Sequence, residues 1–308
     1  LIPQLWFRNT WSWGYPNGPH GNITSQPLMS QTRDNALLAD HPLLGQYHLY
    51  WQGHPELLMT NNDTNTQRLF DVPNETPWVK DAFHRHVIDG EVGAVNPERR
   101  GTKSAAYWKF ELAAGESVTV RCRLHPVDED NGVVGLDDFE ETVSLRIAEA
   151  DEFYREVIPE HVCDEERMIS RQGYAGLLWT KQFYEFIVED WINGDSDEPA
   201  PPKSREEGRN HDWKHFFARD ILSMPDKWEY PWFAAWDSAF HCVTFSMVDH
   251  EFAKKQLLLF TKEWYMAANG QIPAYEWNFS DVNPPVHSWA VWHVYEKDKE
   301  KTGTADYD

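Results

Sequence analysis

The chain has 308 residues, 41% of them hydrophobic, enough for one large or two ordinary domains. Its formal net charge of −22 argues against a nucleic-acid backbone or an anionic membrane surface as partner. No apolar run is long enough to span a bilayer. The composition points instead to a neutral or cationic ligand. Aromatic residues make up 14%, with 16 Trp, and such rings suit flat ligands with apolar faces and polar edges, sugars above all. The same rings also serve a large aromatic core. Cys122, Cys163 and Cys242 have no metal-like spacing, and an odd count without a framework fits a reducing, cytoplasmic compartment.

Residues 1 to 140 read as β-rich. Leu5 to Trp13 is dense in rings, and the Pro- and Gly-rich stretch from Gly14 to Gly21 reads as a loop. Gln46 to Trp51 reads as a strand. The clearest expected unit is a hairpin: Ala106, Trp108, Phe110 and Leu112 alternate, Ala113 to Gly115 turn, and Val118, Val120, Cys122 and Leu124 alternate again. Asp81 to His86 offers two His and an Arg, but no third well-placed metal ligand. Asp128 to Gly132 is a polar break. Residues 141 to 164 read as a connector helix, and a longer helix is expected from Glu165 to Trp191, with Leu177, Tyr184, Val188 and Trp191 near one face. Asp195 to Asn210, with three prolines, reads as a loop. Helices follow from Ala235 to Val248, from Glu251 to Met266 with Ala253, Leu257, Phe260 and Trp264 as its stripe, and from beyond Pro285.

Pro231 to His241 carries the most chemistry. Asp237 stands in a wall of Trp232, Phe233, Trp236 and Phe240. A carboxyl group in such a wall must lose solvation, be partnered, or hold its proton, and one that holds its proton suits a general acid. The competing reading makes Asp237 the N-cap of a helix beginning at Ser238. Gly270 to Pro285 alternates rings with Gln271, Glu276, Asn278, Asp281 and Asn283, and two prolines stiffen it. A rigid loop so furnished suits recognition of several hydroxyls; an ordinary turn-rich loop is the alternative. His211-Asp-Trp-Lys-His215 imitates a zinc-protease helix, but its acid is the short Asp212 and a third ligand is lacking.

Phe233-Ala-Ala-Trp-Asp-Ser-Ala-Phe-His241 resembles the Trp-Asp motif of glycoside hydrolase family 63. Gly270-Gln-Ile-Pro and Asn283-Pro-Pro-Val-His-Ser-Trp289 look like that family's sugar-pocket loop, and Leu5 to Trp13 and Val79 to His84 look like parts of its N-terminal β-domain. The resemblance covers nearly the whole chain. It implies a multidomain β then all-α fold: an N-terminal β-sandwich over 1–140, a connector over 141–164, and the first third of an (α/α)6 toroid over 165–308. It implies an inverting hydrolase of α-glucosides or glycosylglycerates, with Asp237 as general acid and no cofactor. Trp232, Phe233, Trp236, His241, Gln271, Glu276, Trp277, Asn278, Asp281 and Trp289 would hold a small-molecule or oligosaccharide substrate. The family's base is a later Glu that this chain does not match. With Leu1 in place of Met and no finished domain at Thr302 to Asp308, the chain is expected to be an N-terminal fragment. A non-catalytic carbohydrate-binding protein is the alternative. A polysaccharide lyase fits less well, because the pocket stretches hold few Lys or Arg.

Overall fold

The computed structural model describes residues 1–13, 26–127, 135–194, 199–226, 228–229, 231–275 and 278–304. The expected loop at Gly14 to Gly21 and the polar break at Asp128 to Gly132 lie outside them. The chain divides into two compact units: Leu1–Arg146 with Asp195–Pro199, and Ile147–Gly194 with Ala200–Asp308.

The first unit contains β1 (Gln4–Trp6), β2 (Leu28–Arg33), β3 (Ala36–His41), β4 (Gly45–Trp51), β5 (Glu56–Thr60), α1 (Thr66–Phe70), α2 (Ala82–Val87), β6 (Arg100–Gly101), β7 (Lys103–Tyr107), β8 (Cys122–Pro126) and the start of α3 (Phe139–Val157). One antiparallel sheet has the order β6-β2-β3-β4-β8 and another the order β1-β7-β5. Met29, Leu37, Ala39 and Trp51 from the first sheet bury against Met59 and Ala106 from the second. Alternation along each strand sends these residues to one face.

The second unit contains the end of α3, then α4 (Asp164–Leu178), β9 (Lys181–Ile187), α5 (Val188–Asn193), β10 (Phe217–Ser223), α6 (Ala235–Val248), α7 (His250–Leu259), β11 (Pro273–Tyr275), β12 (Asn278–Val282) and α8 (Val286–Thr302). Strands β9 and β10 pair antiparallel from Ile187↔Phe217 to Lys181↔Ser223. Helix α6 packs against α7 and α8, burying Ala239, Cys242 and Phe245 with Ala253, Leu257, Ala290 and Val294. A second cluster gathers Trp213, Phe216, Trp232, Phe233, Phe260 and Tyr265.

Four expectations are corrected. The helix expected over Glu251 to Met266 ends at Leu259, and Trp264 of its stripe lies beyond that end and is exposed. The β-sandwich leading into an all-helical toroid does not form: the fold is mixed, with small antiparallel sheets and helices in both units. The hairpin joining 106–112 to 118–124 does not form either. Glu116 N–H does donate to the Ala113 carbonyl in a turn, but β7 pairs with β1 and β5, and β8 pairs with β4. Phe110, Leu112 and Val118 are 40%, 51% and 44% exposed, so the alternation there faces no core. Finally, the helix expected over 165–191 ends at Leu178, because Lys-Gln-Phe-Tyr-Glu-Phe-Ile, rich in aromatic and branched residues, finds a partner strand in β10.

Candidate functional site

Asp237 lies in the first turn of α6. It is not the cap, since the helix begins at Ala235 and Ala234 holds the N-cap position without a side-chain hydrogen bond. Ala234 is left-handed, with φ +33°, a conformation that a residue with a Cβ adopts only at a cost. What holds it there is the neighbouring burial. Trp232 and Phe233 are 1% and 0% exposed. Phe233 stacks on Phe216 at 5.6 Å between ring centroids and meets Tyr265 edge-on at 5.4 Å. Ser238 Oγ lies 2.8 Å from the Phe233 carbonyl and 3.1 Å from that of Ser223, which ties the helix start to β10. Trp232 and Phe233 are therefore core residues that position the turn, and their rings are closed to a ligand.

The next helical turn brings Phe240 and His241 to the side of Asp237. Both Asp237 and His241 are partly buried. His241 Nδ1 lies 2.6 Å from Ser223 Oγ. Burial lowers the His241 pKa below the ordinary imidazole value, while the Asp237 carboxylate works in the opposite direction. The Phe240 ring, 50% exposed, touches Trp289 of α8 at 5.3 Å, and Trp289 touches His293 at 4.6 Å. Trp289 itself is 41% exposed. Trp236, in the same turn as Asp237, is partly buried.

The β11–β12 hairpin packs against α6 through β11. Gln271 Nε2 donates to the Asp281 carbonyl at 2.6 Å, and Asn283 Nδ2 donates to the Ile272 carbonyl at 2.6 Å. Both amides brace the hairpin. Asp281 is exposed, and Asn278 belongs to β12 opposite Tyr275. Glu276 and Trp277 lie outside the described residues.

His211 and His215 do not converge on one point. His211 Nδ1 lies 2.6 Å from the Gly208 carbonyl, and His215 Nε2 lies 2.7 Å from that of Met266. No group of three or more His, Cys, Asp or Glu among the described residues is placed to hold a metal ion. In the first unit, Asp81 accepts from Asn65 and Arg68 and pairs with Arg85, while His86 meets Glu56 at 2.9 Å.

Two features carry no signal in the sequence. Burial raises the Asp63 pKa even though Trp11 Nε1 and Asn9 Nδ2 donate to Oδ1 at 3.0 and 2.8 Å. A groove of about 680 Å3 opens between α7 and α8, lined by Leu257, Leu258, Val291, Trp292 and Tyr295. Asp237 is not among its lining residues, so the groove is separate from the acid.

No family model and no solved structure matches the chain. An uncharacterized protein of Saccharomyces cerevisiae is 42% identical over an alignment of 340 residues that takes in 99% of the chain. The chain spans 31% of that protein's length. Among the described residues no helix is long and apolar enough to cross a membrane.

Proposed function

We propose that the chain carries the acid half of an inverting glycoside hydrolase acting on α-glucosides or glycosylglycerates, with Asp237 as the proton donor. The observation that supports this best is the placing of Asp237. It follows a strained turn clamped by a buried aromatic cluster, and it shares its helix face with the open ring of Phe240, which touches Trp289 of α8. A carboxyl group held on rigid backbone beside exposed rings can meet a glycosidic oxygen while the sugar's apolar face stacks. Trp236 and Trp289 supply stacking. The exposed Asp281 supplies a polar contact.

In the proposed reaction Asp237 gives its proton to the departing oxygen, and a second carboxylate takes one from the attacking water. In inverting enzymes the two groups stand about 6.5–9.5 Å apart, leaving room for that water. The resemblance implies that the base is a Glu outside these 308 residues, and the yeast relative is about three times as long as the aligned portion. The 308 residues alone are accordingly proposed to be inactive. The chemistry requires no cofactor. A cytoplasmic location is proposed because all three cysteines are free. The test is Asp237→Asn in the full-length protein, assayed for hydrolysis of alkyl α-glucosides and for sugar binding by calorimetry. Lost turnover with retained binding is expected. Binding without turnover in either form favours the non-catalytic carbohydrate-binding reading.

A further inference from the structure

The hydrogen bonds behind His241 form a row whose protons can be counted. Thr180 Oγ1 lies 2.6 Å from the Leu177 carbonyl. It also lies 2.8 Å from Ser223 Oγ, which in turn lies 2.6 Å from His241 Nδ1. Each of these three short contacts needs a proton, and the two hydroxyls have one each. A carbonyl oxygen can only accept, so the Thr180 proton goes to Leu177. Thr180 Oγ1 must then accept from Ser223, which uses the second proton. Ser223 Oγ is left as an acceptor, and the proton between it and the imidazole must sit on Nδ1.

The row is built into the fold. Ser223 is 0% exposed, its N–H donates to Gln256 Oε1 at 3.1 Å, and Gln256 is itself 2% exposed. Thr180 N–H donates to the Leu177 carbonyl as well, and the Thr180 carbonyl accepts from Met224 N–H. The oxygens therefore have little freedom to exchange roles. Burial also keeps the ring in its neutral form, because it pushes the His241 pKa below the ordinary value against the opposing pull of Asp237. A neutral imidazole with its proton on Nδ1 has a lone pair on Nε2, and Nε2 makes no hydrogen bond among the described residues.

We propose that Leu177, Thr180 and Ser223 lock His241 in the Nδ1–H tautomer, so that its Nε2 serves as a hydrogen-bond acceptor for a ligand hydroxyl beside Asp237. His241 would then select ligands that present a hydroxyl donor at that point and reject analogues lacking it, since an unmet buried polar partner is costly. The ligand class, a polyol or sugar, rests on the proposed hydrolase reading; the tautomer does not.

The test uses the full-length protein with 15N-labelled histidine, the His241 resonances being assigned by difference from His241→Gln. Two-bond N–H correlation near neutral pH distinguishes the tautomers. The expected result is a protonated Nδ1 and an unprotonated Nε2. A proton on Nε2, or on both nitrogens, overturns the proposal. Thr180→Val frees the Ser223 proton for Nδ1 and should shift the ring to the Nε2–H form, whereas Thr180→Ser should leave it unchanged. A ring that ignores both substitutions overturns the relay. Titration with methyl α-glucoside should then shift Nε2. If calorimetry shows binding and Nε2 does not move, the ligand role of His241 is wrong. If no sugar binds at all, the hydrolase reading fails and the tautomer assignment stands on its own spectrum.

Discussion

Phe233→Ala and Trp289→Ala should have opposite consequences, although both rings fall in stretches that resemble a sugar pocket. Phe233 is fully buried and touches five rings: Trp232 at 4.1 Å, Tyr265 at 5.4 Å, Phe260 at 5.5 Å, Phe216 at 5.6 Å and Trp213 at 6.4 Å between centroids. Burying a Phe side chain is worth about 1.5–3 kcal/mol by transfer. The cavity left among large, mutually braced rings brings the expected loss to about 3–5 kcal/mol. Trp289 is 41% exposed and meets Phe240 and His293 at the surface. Its removal should cost under about 1 kcal/mol of stability. It should nevertheless weaken sugar binding by about 1–3 kcal/mol, roughly 5- to 150-fold in Kd. Urea unfolding followed by far-ultraviolet circular dichroism measures the first quantity, and calorimetry with a glucoside measures the second. A Phe233→Ala protein as stable as the parent would refute the assignment of that ring to the core. Undiminished sugar affinity in Trp289→Ala would remove Trp289 from the site.

Asp249 ends α6 and caps α7: Oδ1 accepts from Phe252 N–H at 3.1 Å, and Oδ2 pairs with Lys181, whose ammonium lies 4.3 Å from the Phe252 ring centre. Burial works to raise its pKa, but the Lys181 and Phe252 hydrogen bonds and the Lys181 charge together hold it below the usual carboxylate value. Asp249→Ala should cost about 1–2 kcal/mol, mainly the lost cap, while Asp249→Asn keeps the cap and loses only the partly exposed ion pair, about 0.2–1 kcal/mol. Because the folded-state pKa is the lower one, this stabilisation is present above the unfolded value of about 3.9 and disappears as pH falls through the folded value. The gap between parent and Asp249→Asn in urea midpoints should therefore close below about pH 4; a gap constant down to acid pH contradicts it. Gly101→Ala should cost about 1–3 kcal/mol, since an added Cβ stands 2.3 Å from the Thr60 carbonyl oxygen, which already accepts from Thr102 N–H; an unchanged melting temperature counts against this close approach.

What could be read from the sequence follows local chemistry. Helix α6 runs from Ala235 to Val248 and α7 begins at His250 because Asp249 both breaks one and caps the other, a short-range signal. Strand β4, expected over Gln46 to Trp51, spans Gly45–Trp51. Partnership was not legible. Nothing within residues 106 to 124 says that β7 pairs with β1 and β5 while β8 pairs with β4. The Trp232 and Phe233 rings are of the right type for a ligand, but only the positions of Trp213, Phe216 and Tyr265 decide that they point inward. The relay behind His241 joins residues 43 and 18 positions apart, far beyond any sequence motif.

The claim that Asp237 supplies the proton is tested most directly by how its loss depends on the leaving group. Asp237→Asn in the full-length protein should lower kcat/KM on an alkyl α-glucoside or a glucosylglycerate by about 10²–10⁴. It should lower the rate on α-glucosyl fluoride far less, because fluoride departs without a proton. A selective loss on the poor leaving groups is the predicted result. Equal losses on both substrates, or full activity on the alkyl glucoside, would contradict it.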